Sequence, residues 1–554
     1  MRFWFWVCLL IGVAGAQVFL WFTTIPLGIP GEWIWHRILV EPDTAWNLLG
    51  LAAAAILYIL FVEAGSRRIQ KLSPSRFRTL ELAGWLTALV AVSFTWLWLV
   101  QECAPTRNRL GKSAFVLYYH GSSGYFTRAR YESPDPQKFL EGYEGLMREG
   151  DVLHVGTHPP GLFLAFHGMI SICQQSTLLA GFLDATQPAS FREACDVIAQ
   201  NAARKAGRPL LPLDRRVLWL ATLLVLVSAA CAVIPLFALV ATTHDFTTAW
   251  RIAALWPAVP AVAVFIPKSD VVYSLVGLLI VCSWLASTRR QSPALGLLTG
   301  LLAWCGLMMS LAFLPVLLFT ALIGWNLPRQ TNDSLPDDSN RSLLKGWIQG
   351  RPPWQCVVSG MAGFLIPTLL MGWCFRINLF VVWWLNYRNH AGFYAQFPRT
   401  YWRWLLENPI ELAFAAGWPV AFLALSAIVC ACWQKRLWNQ PRVFAVVLVW
   451  GALWLTGKNS SEAARLWIVF LPWLVWLAAD YFSAKDRDES RWWNRSATVA
   501  ARGKRGQTLS GHTISNSNRL PSKGSDPFYH GLLVLMLQLI TSALTVARVS
   551  GFDL

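Results

Sequence analysis

Apolar runs long enough to cross a bilayer, about 20 residues each, recur along the whole chain, and no other feature limits its fold so strongly. They fall at residues 3–22, 46–62, 80–100, 217–240, 253–266, 271–286, 295–323, 357–375, 412–432, 443–455, 467–482 and 532–549, with a further run after Pro160. In hydrocarbon every peptide group needs a partner inside the protein, and a helix supplies one within a single segment. The expectation is therefore an all-α polytopic membrane protein with about 11–13 transmembrane helices. Composition agrees. The chain is 55% hydrophobic and only 14% charged, where a soluble domain carries about a quarter charged residues.

The first run is too long for a signal-peptide core and lacks a small-residue cleavage site, so it reads as an uncleaved helix. The 11 Cys are scattered, mostly within apolar runs, and form neither a metal spacing nor a disulfide framework. The net charge of +17 does not point to nucleic acid, because the basic residues sit in short loops and one tail. Arg67, Arg68, Lys71, Arg76 and Arg78 lie between two runs, Lys435, Arg436 and Arg442 between two others, and 485–523 is basic and Ser/Asn-rich. Such loops mark the cytoplasmic face and are attracted to anionic lipid.

This reading gives a multi-pass protein of the cell membrane with a cytoplasmic N-terminus. Three helices occupy 1–101, an extracytoplasmic loop 102–158, and the main bundle 159–483. A basic cytoplasmic segment at 484–527 precedes a last helix within 528–554. Counting spans places 376–411 and 458–465 outside, and 191–216 and 328–351 inside. Arg289 and Arg290 land outside, against the charge rule.

The outer loop holds the most polar and most ordered pattern. Asp135-Pro136 opens a helix, since an acid and a proline both suit a first turn. Phe139, Leu140, Tyr143, Leu146 and Met147 recur at helical spacing and form one apolar stripe. That stripe places the helix flat on the membrane surface or on the bundle. Gly150-Asp151 and His158-Pro159-Pro160 follow, and the Pro-Pro step fixes how the next run is entered.

This segment resembles the C-type glycosyltransferases, in particular their aminoarabinose-transferase and protein O-mannosyltransferase branches. In these the first outer loop begins with an acidic motif, followed by an amphipathic helix, a Gly-Asp step and a basic-Pro-Pro motif. Here the order is Asp135, the 137–148 helix, Gly150-Asp151, then His158-Pro159-Pro160, with 15 residues from Asp135 to Gly150. The resemblance implies a GT-C-like bundle with an extracytoplasmic catalytic loop. It also implies inverting transfer of a sugar from a polyprenyl-phosphate donor to an envelope glycan, lipid or protein. Asp135 would be the base, and His158 would meet the lipid phosphate. Glu132 and Asp151 are the neighbouring carboxylates and His154 a second histidine. Pro136 stands where a second acid is common, which leaves a divalent metal open, and two extra runs precede the loop.

Two other segments add candidates. Residues 458–473 resemble the Glu-x-x-Arg-x-Trp stretch of bacterial integral-membrane mannosyltransferase-like proteins. Glu462 and Arg465, three apart, share a helix face, Lys458 lies just before them, and the planar fork of Arg465 suits phosphate. Residues 386–404 mix aromatics, amides and arginines, and His390 and Arg399 are the candidates there. The mixture fits a sugar-binding surface as well as an interfacial aromatic belt. Asp270 follows Pro267-Lys268 in a similar boundary step, but the count places it inside, and it is left unassigned.

A competing expectation is a transporter or flippase for a lipid-linked saccharide. Such proteins place charges near the midplane on broken helices in repeated halves. In this chain the ionisable groups gather in outer loops and no repeat is visible.

Overall fold

The computed structural model describes residues 2–71, 76–153, 155–204, 208–326, 353–458, 460–482 and 527–552. The basic stretch 485–523, the loop 328–351 and His154 lie outside them. Within them the protein is helical, apart from two small two-stranded antiparallel pairings. Seven helices are long and apolar enough to cross a membrane, and up to nine if two bent pairs each count once. Four shorter apolar helices accompany them: Pro293–Met309, Phe313–Gly324, Pro441–Leu455 and Ile468–Tyr481. This is a polytopic helical membrane protein.

The bundle has two polar ends. One is marked by Arg442 and Asp480, with His244 Nε2 3.2 Å from Asp480 and Arg251 3.8 Å from Glu63. The other gathers the 102–158 loop and everything that packs on it. Ser190 donates to Glu102 (2.7 Å), Arg130 pairs with Asp214 (2.8 Å), and Lys268 donates to the Ser122 carbonyl. Exposed indoles ring both ends: Trp46, Trp373, Trp384 and Trp402 at the loop end, Trp4, Trp354, Trp433 and Trp438 at the far end. Such belts are expected where apolar rings meet a headgroup region.

Three runs depart from the expected spans. The run after Pro160 forms Gly161–Gln175 and Thr177–Thr186, bent by 104°. Ser176 is extended there and caps the second helix through the Leu179 N–H. The chain therefore returns to the loop end, and 191–204 and 208–216 lie beside the first loop rather than across from it. The run 253–266 is no single helix: a 3-10 turn, Trp256–Ala258, and a short helix, Pro260–Val264, interrupt it, and all of it is buried. The run 295–323 is two helices, turning at Ser310 at the loop end, where Phe313 meets Tyr273 (5.4 Å) and the Leu307 carbonyl accepts from Trp383 Nε1 (3.0 Å).

The first and third departures cancel in a span count, so only the stretch between them is inverted. Asp270 consequently belongs to the loop end. The Asp270–Arg290 helix carries Arg289 and Arg290 to the far end, with the other basic loops, where cations complement a helix C-terminus.

The tightest helix pair, Pro293–Met309 with Trp354–Phe375, meets through glycine. A Cβ on Gly300 would lie 1.9 Å from the Gly360 carbonyl oxygen, whereas one on Gly360 would lie 3.4 Å from its nearest neighbour. Close backbone approach of this kind drives helix association in lipid. Gly300→Ala should therefore lower the melting temperature in detergent by the equivalent of about 1–3 kcal/mol, the usual cost of overpacking. Gly360→Ala should cost clearly less, and equal melting temperatures for the two variants would refute the close approach.

Candidate active site

Asp135 is extended (φ −93°, ψ 108°) and caps Pro136–Glu141, accepting from Gln137 N (3.0 Å) and Lys138 N (3.3 Å). Its side chain is 48% exposed, and Lys138 Nζ stands 3.8 Å from Oδ2. The expected single helix is two, Pro136–Glu141 and Tyr143–Arg148, separated at Gly142. Its apolar stripe is real: Phe139, Leu140, Tyr143 and Met147 are buried on the bundle. Asp151 is spent on the loop itself, accepting from Leu153 N (3.0 Å), Val155 N (3.1 Å) and Gly156 N (3.3 Å). Glu132 is tied to Arg128 at 2.6 Å.

His158 is held by its backbone. Its carbonyl accepts from Tyr143 OH (2.6 Å) and Asn386 Nδ2 (3.2 Å). The ring lies against Tyr125 (5.6 Å) with Nδ1 3.1 Å from the Thr157 hydroxyl. Phe139 packs on Tyr143 (5.1 Å) and Phe163 (5.2 Å), and Phe163 on Tyr125 (5.1 Å). Asp135 is thus linked to His158 through an aromatic cluster.

Tyr125 opens onto a charged group that the sequence did not assemble. Burial raises its hydroxyl well above the usual phenol range. Tyr273 and Asp270 add to this and Arg465 opposes it, so all three lie within electrostatic reach. Arg465 pairs with Glu462 (2.8 Å), while its Nε is buried with no hydrogen-bond partner among the described residues. Ser461 (φ 72°) and Glu462 (φ 55°) precede it in the left-handed region. That conformation is costly for side-chain-bearing residues and is held only by its surroundings. Asp135 and Arg465 make no direct contact.

Lys268 and Lys112 are the other additions. Both are buried, Lys112 donates to the Val264 carbonyl (3.1 Å), and both ammonium groups flank the Phe552 ring at about 6 Å. Burial pushes each down to about 7. The charged Pro267-Lys268-Ser269-Asp270 step at the edge of an apolar run was the available signal, and the inverted count concealed it.

The two lysines predict a pH dependence. Unfolded, each holds its proton up to the ordinary lysine range near 10.5, whereas folded it releases the proton near 7. Between these values the unfolded chain binds more protons, so stability rises with pH, by up to about 1.4 kcal/mol per unit for each lysine. Lys112→Met should flatten the rise in melting temperature between pH 7 and 9. An unchanged slope would show that this ammonium is not dry.

The remaining candidates are spread around this group. Arg399 donates to Ser461 Oγ (2.9 Å) and stacks over Phe393 (5.6 Å), Lys458 lies over Tyr387 (4.8 Å), and His390 packs near Tyr394 (6.1 Å). The amides expected to serve a sugar serve the fold instead. Asn386 and Asn389 both donate to the Gly156 carbonyl, at 2.9 and 3.0 Å, and Asn389 also to that of Met147. Among the described residues no three His, Cys, Asp or Glu side chains gather to hold a metal ion. The divalent metal left open by Pro136 has no such donor set among the described residues. No protein-family model, curated protein or solved structure matches the chain.

Proposed function

We propose that this protein is an integral-membrane glycosyltransferase. It takes a sugar from a polyprenyl-phosphate donor and places it on a glycan, lipid or protein acceptor at the extracytoplasmic face. The observation that carries this reading is convergence. The described parts of 102–158, 376–411 and 458–465, far apart in sequence, meet at one end of the bundle. There Lys268 and Arg465 lie within electrostatic reach of each other, His158 packs on Tyr125, and Asp135 lies at the other side of the aromatic cluster. Asp135 accepts the acceptor hydroxyl's proton, and the freed oxygen attacks the anomeric carbon. The carbon–oxygen bond to phosphate breaks with its electron pair leaving on the phosphate. Arg465 and His158 hold that departing dianion, a role in which charge-assisted donors are strong. A single displacement inverts the anomeric centre. Lipid carries the donor laterally to this end of the bundle, so the bilayer is a partner as well as a solvent.

One observation favours the transporter or flippase reading. Besides the bend at Ser176, Tyr401–Ala416 and Trp418–Trp433 form a pair bent by 119°, and broken helices line transport sites. The two readings separate in one experiment. Purified protein is incubated with a panel of labelled polyprenyl-phosphate sugars and a mixed glycan and lipid acceptor extract. Loss of label from the donor supports transfer, whereas label crossing a vesicle bilayer with the donor chemically intact supports transport and overturns transfer.

Orientation has its own test. In a background lacking the exposed Cys8, Cys374 and Cys432, a cysteine at the exposed Lys138 should react with an impermeant maleimide on intact cells. One at Ser517 should not. Reversed labelling would put the catalytic loop on the wrong face.

A further inference from the structure

Glu411 is fully buried within the Tyr401–Ala416 helix. Its Oε1 accepts from the backbone N–H of Ala464 (3.0 Å) and from Trp35 Nε1 (3.3 Å). Its Oε2 is buried without a hydrogen-bond partner among the described residues. Burying a carboxyl with one oxygen unsatisfied is costly, and an apolar side chain of similar size would avoid that cost. The position of its one bonded oxygen shows what the carboxyl does there. Ala464 immediately precedes Arg465, in the turn whose Ser461 and Glu462 are held in the left-handed region. That turn is fastened at two points. Arg399 holds Ser461 Oγ from outside (2.9 Å), and Glu411 holds the Ala464 N–H from inside. Trp35, from the segment after the Gly28–Ile34 hairpin, holds Glu411 in turn, and the neighbouring Glu407 accepts from Gly28 N (2.7 Å).

We infer that Glu411 is a positioning residue for Arg465: it fixes the strained turn through the Ala464 amide and thereby sets the guanidinium where a phosphate oxygen is to be met. The inference rests on the glycosyltransferase reading for the identity of the anion, but not for the geometry.

Two variants and two readouts test it. Glu411→Gln keeps an acceptor oxygen for both donors, whereas Glu411→Met fills the space and leaves both N–H groups without an acceptor. Arginine modification by phenylglyoxal, mapped by peptide mass spectrometry, reads the geometry without any substrate. Arg465 should be modified several times faster in Glu411→Met than in the parent, and at the parental rate in Glu411→Gln. Binding of undecaprenyl monophosphate in detergent reads the consequence. Glu411→Met should weaken it about as much as Arg465→Ala does, roughly tenfold or more, and should cost nothing further in an Arg465→Ala background. Additive losses, or faster Arg465 modification in Glu411→Gln, would overturn the inference. Should Glu411→Met fail to fold, the Gln variant still decides through its Arg465 modification rate. If the modification pattern holds while no variant, nor the parent, binds the lipid phosphate, the positioning stands and the glycosyltransferase reading fails.

Discussion

Arg465→Ala should weaken binding of a polyprenyl-phosphate donor by about ten- to a hundredfold, the loss of one charge-assisted contact of roughly 1.5–3 kcal/mol. Arg465 is the strongest such candidate because its Nε is buried without a hydrogen-bond partner among the described residues, while its other end is anchored on Glu462 at 2.8 Å. A guanidinium so arranged is fixed in direction but not saturated. Arg465→Lys keeps the charge and loses the planar fork, so it should recover only part of the affinity. The fold is also expected to feel the alanine variant. Asp270 and Glu462 would then face Lys268 alone, in a region where all three share one electrostatic environment. A drop in melting temperature alongside the affinity loss is therefore consistent with the site. Wild-type donor affinity in a folded Arg465→Ala protein would remove Arg465 from it. His158→Ala makes a companion test, because the bonds accepted by its backbone carbonyl survive truncation of the ring, although the ring contact with Tyr125 is lost. Its main effect should be on donor affinity.

Local features were legible in the sequence, whereas long-range ones were not. Phe139, Tyr143 and Met147 announced a buried helical stripe because helix periodicity is a local property, and Asp135-Pro136 announced a cap for the same reason. Membrane class was legible from the apolar runs. What hydropathy concealed was the break at Gln174-Gln175-Ser176 and the turn at Ser310. A window average smooths over two or three polar residues, yet each of these reverses the direction of the chain. The two reversals cancelled, so that only the stretch between them is inverted relative to the rest of the count. Asp270 and Lys268 fell in that stretch. Their partnership with Arg465 joins segments almost two hundred residues apart in sequence, and no periodicity encodes such a meeting. Glu411 was invisible for another reason. It sits one turn after Glu407 at the edge of an apolar run, and only the position of the Ala464 amide shows its use. The amides of Asn386 and Asn389 misled in the opposite sense, since residues chemically suited to a sugar were already committed to loop carbonyls.

Asp135→Asn carries the largest expected effect. The wild-type side chain divides its work between two oxygens: Oδ1 accepts from the Gln137 and Lys138 amides, while Oδ2 faces the Lys138 ammonium at 3.8 Å. Asparagine caps a helix about as well as aspartate, so its amide oxygen can keep both backbone bonds. Expression and melting temperature should stay within a few tenths of a kcal/mol of the parent. What asparagine cannot do is accept a proton from an acceptor hydroxyl. Loss of a general base typically costs about 10²–10⁴ in rate, so turnover should nearly vanish while donor binding, which depends on the cations across the aromatic cluster, persists. The neighbouring carboxylates supply the controls. Glu132→Gln loses only an ion pair with Arg128 and should keep most activity. Asp151→Asn loses one of two accepting oxygens in the loop and should lower stability together with turnover. The pattern that identifies a base is therefore lost rate at unchanged stability, found at Asp135 and at neither control. A folded Asp135→Asn protein retaining more than about a tenth of parental turnover would exclude the role. The search would then move to Asp270, a carboxylate within electrostatic reach of both Arg465 and Lys268.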